Sequence, residues 1–412
     1  VSGSSARPAD CRAQAPTPIL KRLVCLFGLL PLGCSQTPPA NSSATPASYA
    51  HEEEHAAKIA DQIKDLEGRV RSNPVDWVSL ALLSKLYLEK GEESPADYAR
   101  AEQAALLSLS LRPTRNSEAM LALAGARYQQ GAFSAVIKIC QQFPNSPEAP
   151  RLATLALLSQ GKIHEAAEWS ALALKRQNDS HSLTLAAHVS VAGGRDDIAE
   201  KLLEAARKLE QPKERAISAE LRSLWGDLWR RHGKIKEARE MLESSLAIQR
   251  RNVRALRALA RLELDQGNRD AALEAYRQAE ALTHGPLLQV EVAKLDPEHA
   301  TDLLKKAEPQ LQGAQRAPLL LVQKKPQEAL KLLQEQEKSG ANWQNYEMQA
   351  QAFEQLKQPQ KALDAYQKAL AQGYLDPLLL KPALELARMQ KDARAADFEL
   401  KLKSLTNQAK SE

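Results

Sequence analysis

From about residue 53 to residue 404, apolar positions return every three or four residues and chain breakers return at near-constant intervals. That is the pattern of successive amphipathic helices separated by short turns. No stretch carries the every-second-residue alternation of a half-buried strand, so the pattern predicts an all-α chain. Two adjacent stretches show the register best. WGDLWRRHGKIKEAREMLESSL carries Trp225, Gly226, Trp229, Gly233, Ala238, Leu242, Ser245 and Leu246. LARLELDQGNRDAALEAYRQAE carries Leu259, Ala260, Glu263, Gly267, Ala272, Tyr276, Ala279 and Glu280, each 34 residues from its counterpart. A repeat of this length implies a stack of helix pairs, since one pair cannot bury its apolar face alone. Gly233 and Gly267 suit the tight turn within a pair, because glycine enters positive φ freely. Small residues such as Gly226, Ala238, Ala260, Ala272 and Ala279 admit close helix approach, and Trp229, Leu242 and Tyr276 fill the spaces between.

The register continues on both sides. LSKLYLEKG and ARAEQAALLSLSLRP supply Leu83, Tyr87, Gly91, Ala101, Ala105 and Pro113. Further turns centre on Gly131, Gly161, Gly194 and Lys357, the last followed by Ala362, Tyr366 and Ala369. These residues and spacings resemble the tetratricopeptide repeat (TPR) family, over about 85% of the chain. The resemblance implies a right-handed superhelical solenoid of about eight or nine helix pairs, whose first helices line a concave groove that binds proteins or peptides. In the family, positions 2, 5, 9, 12 and 13 of the first helix face that groove. Carried over, they are Glu220, Ser223, Asp227, Arg230 and Arg231 in one unit, and Arg254, Arg257, Arg261, Leu264 and Asp265 in the next. Arg230, Arg231, Arg254, Arg257 and Arg261 are therefore the expected partner-binding residues. Their planar guanidinium forks suit an acidic peptide, since each donates two parallel hydrogen bonds to a carboxylate. The Lys/Asn arrangement by which some family members clamp a C-terminal carboxylate is missing.

The first fifty residues carry a different pattern. In ILKRLVCLFGLLPLGC, Lys21 and Arg22 precede a ten-residue apolar run, Leu23 to Leu32, closed by Gly33-Cys34. The run is too short to span a bilayer as a helix and suits a secretory signal. The junction resembles the lipobox of bacterial lipoproteins, which implies lipidation of Cys34; Pro31 and Leu32 depart from that pattern. The Ser/Pro/Ala stretch that follows reads as a tether. The expected organisation is a signal region at 1–33, a lipidated tether at 34–50 and well-matched repeats at 51–285. Degenerate repeat-like helices at 286–340 and a last unit with capping helices at 341–412 complete it.

Charge and cysteine usage narrow the function further. Without residues 1–33 the chain has 52 basic and 50 acidic side chains, no electrostatic footprint for nucleic acid. With the signal removed and Cys34 lipidated, Cys140 stands alone, so no disulfide framework is expected. HEEEH, residues 51–55, matches H-E-x-x-H, in which two histidines one helical turn apart hold zinc and the glutamate acts as base. His51, Glu52 and His55 are thus the candidate metal and catalytic residues of a metallopeptidase. Against that, Glu53 and Glu54 fill the variable positions, the motif opens a helix after a tether, and no sheet exists to build a cleft. Acidic residues in a first helical turn need only the helix dipole. His181 and His188 share a face, a pairing ordinary for partly exposed polar residues, and AGGRDD at 192–197 is a turn with no phosphate-loop pattern.

These readings combine into an expected non-catalytic scaffold or adaptor without cofactor or small-molecule substrate, tethered to a bacterial envelope membrane and facing the periplasm or exterior. One alternative is a chaperone-like role, since IKDLEGRVRSNPVDWVSLALLSKLYLEKG resembles TPR segments of cytochrome c maturation proteins. The alternative of a different class is the zinc metallopeptidase.

Overall fold

A computed structural model describes residues 46–91, 95–143, 145–338 and 341–407. Among them helices alternate with short turns and no strand occurs. A long helix, α1 (Pro46–Ser72), precedes α2 (Trp77–Lys90), α3 (Pro95–Leu111), α4 (Ser117–Gln129), α5 (Phe133–Cys140), α6 (Glu148–Ser159) and α7 (Ile163–Arg176). The central part contains α8 (Ser180–Ala192), α9 (Asp196–Lys208), α10 (Arg215–Arg231), α11 (Ile235–Ile248), α12 (Val253–Asp265) and α13 (Arg269–Thr283). Shorter helices follow: α14 (Pro286–Leu295), α15 (Ala300–Ala307), α16 (Ala317–Val322) and α17 (Pro326–Glu337). The chain closes with α18 (Trp343–Gln355), α19 (Pro359–Ala371), α20 (Pro377–Met389) and α21 (Arg394–Asn407). From α2 onward helices pack in antiparallel pairs, and each pair on the next, giving an all-α solenoid. Two short pairs, α14/α15 and α16/α17, occupy the stretch where the sequence repeat is least regular.

One backbone device recurs at the turn within a pair. The second residue after the first helix adopts left-handed φ: +74° at Gly233 and +80° at Gly267, and equally +59°, +57° and +52° at Lys324, Lys357 and Lys391. The next N–H then reaches back to a carbonyl of the finished helix, as in Lys234 N to Trp229 O (2.9 Å) and Gln358 N to Phe353 O (2.9 Å). This satisfies end carbonyls that lack a partner within the helix. Six first helices of pairs are started instead by side chains. Asp76, Asn116, Asp179, Asn252, Asn342 and Asp376 each accept a hydrogen bond from a backbone N–H in the first turn that follows.

Within and between pairs, the small positions do what their size allows. A methyl at Gly226 would stand 2.7 Å from Leu242 Cγ, so the Leu242 side chain of α11 packs directly on the α10 backbone there. Ala238, Ala260, Ala272 and Ala279 are completely buried, as is Leu242, and Tyr276 is nearly so. Cys140 is a buried free thiol, and burial pushes its pKa up to about 12.

The solenoid also turns back on itself. One continuous apolar cluster joins Leu183, Leu203, Leu221 and Leu228 of the central pairs to Trp343, Tyr366, Leu380 and Phe398 of the last ones. The turn at Gly194 (φ +68°) lies against the turn at Gly373 (φ +84°) so closely that a Cβ on Gly194 would stand 2.3 Å from Gly373 C. No helix from α8 to α13 packs broadly on a helix from α18 to α21; the two regions meet through turns and side chains.

Candidate functional site

The first helices α10 and α12 bring the five expected arginines to the inner side of this bend. Glu220, Asp227 and Asp265, also at family groove positions, meet them there. Neighbouring first helices are one repeat apart, which is why Arg230 pairs with Asp265 and Arg254 with Glu220. The 34-residue register therefore sets these groups side by side on neighbouring first helices. What it does not supply is the far wall, formed by α14, α18 and the turn before α20.

Arg230 and Arg231 have no solvent exposure. Arg230 Nε donates to Asp227 Oδ1 (2.9 Å), and Nη1 donates to Asp265 Oδ2 (2.6 Å). The same guanidinium grips Asp376 with two bonds, Nη2 to Oδ2 (2.7 Å) and Nη1 to Oδ1 (3.2 Å). Arg231 is held bidentately by Asp196 (2.9 Å each), which His232 Nε2 also meets at 2.9 Å. It further donates to the carbonyl of Leu375 (3.3 Å), and its guanidinium lies over the Tyr374 ring, 4.6 Å from the centroid. Trp343 stacks on that ring at 3.8 Å and 4°, leaving only the other face for Arg231. The acidic segment expected to meet Arg230 and Arg231 is thus already there, and it belongs to this chain.

Burial alone would raise the pKa of Asp376, but the charge and hydrogen bonds of Arg230 win and hold it well below the usual carboxylate range. At Asp265 burial wins over Arg230 and raises the pKa. Arg230 itself is driven well above its ordinary value: burial opposes the charge, and Asp376 and Asp227 outweigh it. Removing one partner of such a pair costs about 3–5 kcal/mol, since the other charge is stranded in a dry site.

Arg254, Arg257 and Arg261 have a different setting. Arg254 pairs with Glu220 and donates to His188 Nε2 (3.2 Å). Burial and the nearby Arg254 hold His188 well below its ordinary pKa, so its ring is neutral and accepts that hydrogen bond. Arg257 is solvent-exposed, yet enclosed by the bend, and neither it nor Arg261 makes an ion pair among the described residues. Enclosure first, then the charge of Arg261, lowers the pKa of Arg257. Arg261 is raised, because Tyr374, Asp227 and Asp376 outweigh its desolvation. Across the lumen, Lys294 Nζ binds Glu291 Oε1 (2.8 Å). Glu347 is pushed up to about 7 by burial, only partly offset by Arg261 and Lys294. Asp376, Tyr374, Trp343 and Glu347 escape sequence reasoning because they lie more than 80 residues from the arginines and in no motif.

His55 is exposed and lies 3.6 Å from Glu89 of α2. The backbone of His51 and Glu52 belongs to α1, and their side chains lie outside the described residues, as does all of Cys34. Among the described residues no group of three or more His, Cys, Asp or Glu could hold a metal, and no helix is long and apolar enough to cross a membrane.

The helix-pair geometry defines the class: an all-α, tetratricopeptide-like solenoid. No family model and no curated protein matches the chain. Among solved structures it is similar to a chain in the crystal structure of the APC/C hetero-tetramer Cut9–Hcn1, at 13% identity and TM-score 0.40, over 87% of this chain and 92% of that one. It is similar also to the human IFIT1 dimer with PPP-AAAA, at 17% identity and TM-score 0.48, over 78% of this chain and 79% of that one. With m7Gppp-AAAA the human IFIT1 dimer gives 17% identity and TM-score 0.49, over 78% and 77%. These likenesses concern the fold alone.

Proposed function

We propose that this chain is a non-catalytic interaction scaffold whose enclosed concave face takes an acidic segment of a partner protein at Arg257 and Arg261, with Arg254 beside them. The observation that carries the reading is Arg257: a solvent-accessible guanidinium inside the bend, without an ion pair among the described residues, whose helix neighbours Arg254 and Arg261 are also cations. A carboxylate arriving there relieves that repulsion and meets two guanidinium forks. Arg230 and Arg231 are not part of the vacant face, since the chain's own carboxylates hold them. The reading includes attachment to a bacterial envelope membrane through lipid on Cys34, motivated by the Gly33-Cys34 junction and the tether after it.

A fluorescent octaglutamate peptide, titrated by anisotropy, is the test. It is expected to bind at low salt and to weaken markedly at physiological salt, where screening limits electrostatic reach to about 8 Å. Arg257→Glu with Arg261→Glu, at unchanged helicity, is expected to lose binding at least tenfold. Equal binding by that variant removes this face from the reading. For the tether, Cys34→Ala is expected to leave an unprocessed precursor or a soluble protein; a mature, membrane-bound variant rejects the lipid anchor.

A further inference from the structure

The turn at residues 372–377 sits on the inner face of the solenoid as a bound peptide would. Its Tyr374 ring is held between Trp343 and the guanidinium of Arg231, the Leu375 carbonyl accepts from Arg231, and the Asp376 carboxylate takes both Nη atoms of Arg230. Arg230 and Arg231 occupy groove positions of α10, 146 and 144 residues before their partners. Three features mark the contact as one that can part. It has no broad helix-on-helix packing: the central and last pairs meet through the turn, its ion pairs and one shared apolar cluster. Its hydrogen bonding is incomplete: Arg231 Nε and Asp265 Oδ1 are buried without a partner. A buried ion pair also gives little net stability over an apolar pair.

We propose that residues 374–376 are an internal ligand of this socket, a latch that closes the solenoid. A partner segment of the same chemistry, an aromatic residue two positions before a carboxylate, takes their place. The closure is independent of the acidic-segment reading at Arg257; only the exchange with a partner rests on the scaffold reading. The socket selects such a segment twice, by a flat ring for the Arg231 face and by a carboxylate at the reach of a bidentate Arg230.

The probe is a synthetic heptapeptide with the sequence of residues 372–378, QGYLDPL, and its analogue with Asn for the Asp. The full chain is compared with Asp376→Asn, which keeps the helix-capping oxygen that accepts from Leu378 N and replaces the charge and the second acceptor, which takes Arg230 Nη2, with an amide NH2. The variant is expected to give a larger radius of gyration by small-angle scattering. It is also expected to bind the Asp peptide at least tenfold more tightly than the unaltered chain does, and at least tenfold more tightly than it binds the Asn peptide. A variant that scatters as the unaltered chain does, or that opens but does not distinguish the peptides, overturns the proposal. Should the variant lose its helices, hydrogen exchange in the unaltered chain decides. Excess Asp peptide, and not the Asn peptide, is expected to speed exchange at residues 372–380; no acceleration overturns the latch. Octaglutamate binding to the same samples reports on Arg257 separately.

Discussion

Lysine and glycine share one backbone task in this molecule. Lys357 holds φ +57° at the place where Gly267 holds +80°, and a left-handed L residue costs about 1–2 kcal/mol that glycine does not incur. Nothing stands within 4 Å of a Cβ built on Gly267, so conformation alone decides substitution there. Lys357→Gly is expected to stabilise the chain by up to about 1 kcal/mol, glycine's larger unfolded-state entropy returning part of the gain. Gly267→Ala is expected to destabilise it by about 1 kcal/mol. Urea midpoints of the two variants should move in opposite directions; movement in the same direction would mean that these turns are not equivalent. Sequence pattern reaches this scale well: Gly233, Gly267 and even Lys357 are legible as turns, because a 34-residue period repeats the same local demand.

Helices α8 and α18 carry two titrations of opposite sign. Burial first, then Arg151, pushes His181 down to about 4, with Asp179 and Glu148 opposing. Between pH 6.5 and 4 the unfolded chain therefore binds a proton that the folded chain refuses, and stability falls as pH falls. His188, held well below its ordinary value, adds to that loss. Glu347, raised to about 7, does the reverse: from pH 7 to 4.5 the folded chain keeps a proton that the unfolded chain releases, so stability rises as pH falls. Each group contributes about 1.4 kcal/mol per pH unit within its window. Glu347→Gln is expected to lose stability faster than the unaltered chain between pH 6.5 and 5, by up to that amount per unit, in urea unfolding. Parallel pH profiles would show that Glu347 is ionised throughout. Neither shift was legible in the sequence, where His181 and His188 read as ordinary partly exposed residues, because Arg151 and Arg254 reach them from other helices.

At the scale of the whole molecule, what the sequence conveyed was the repeat and what it withheld was the bend. Neighbouring pairs are coupled through positions 34 or 35 residues apart, and a period makes such positions comparable, so Asp265 and Glu220 could be placed beside the arginines. Asp376 could not, since it lies in a turn ordinary in composition, and only the accumulated rotation of several pairs brings it to Arg230. Of the five arginines expected to face a partner, Arg230 and Arg231 meet carboxylates of Asp196, Asp227, Asp265 and the distant Asp376, and Arg254 meets Glu220, while Arg257 and Arg261 make no ion pair among the described residues. The join has a mechanical consequence. If the chain is stretched by its two ends, tension entering α10 can pass through Arg230 to Asp376, bypassing the 145 residues between them. In optical tweezers the pairs before α8 and the helices α20 and α21 should then peel away in small steps at low force. The shielded segment should let go in one larger release, adding about 50 nm of extended chain at roughly 3.5 Å per residue, while Asp376→Asn should break that release into steps of single helix pairs.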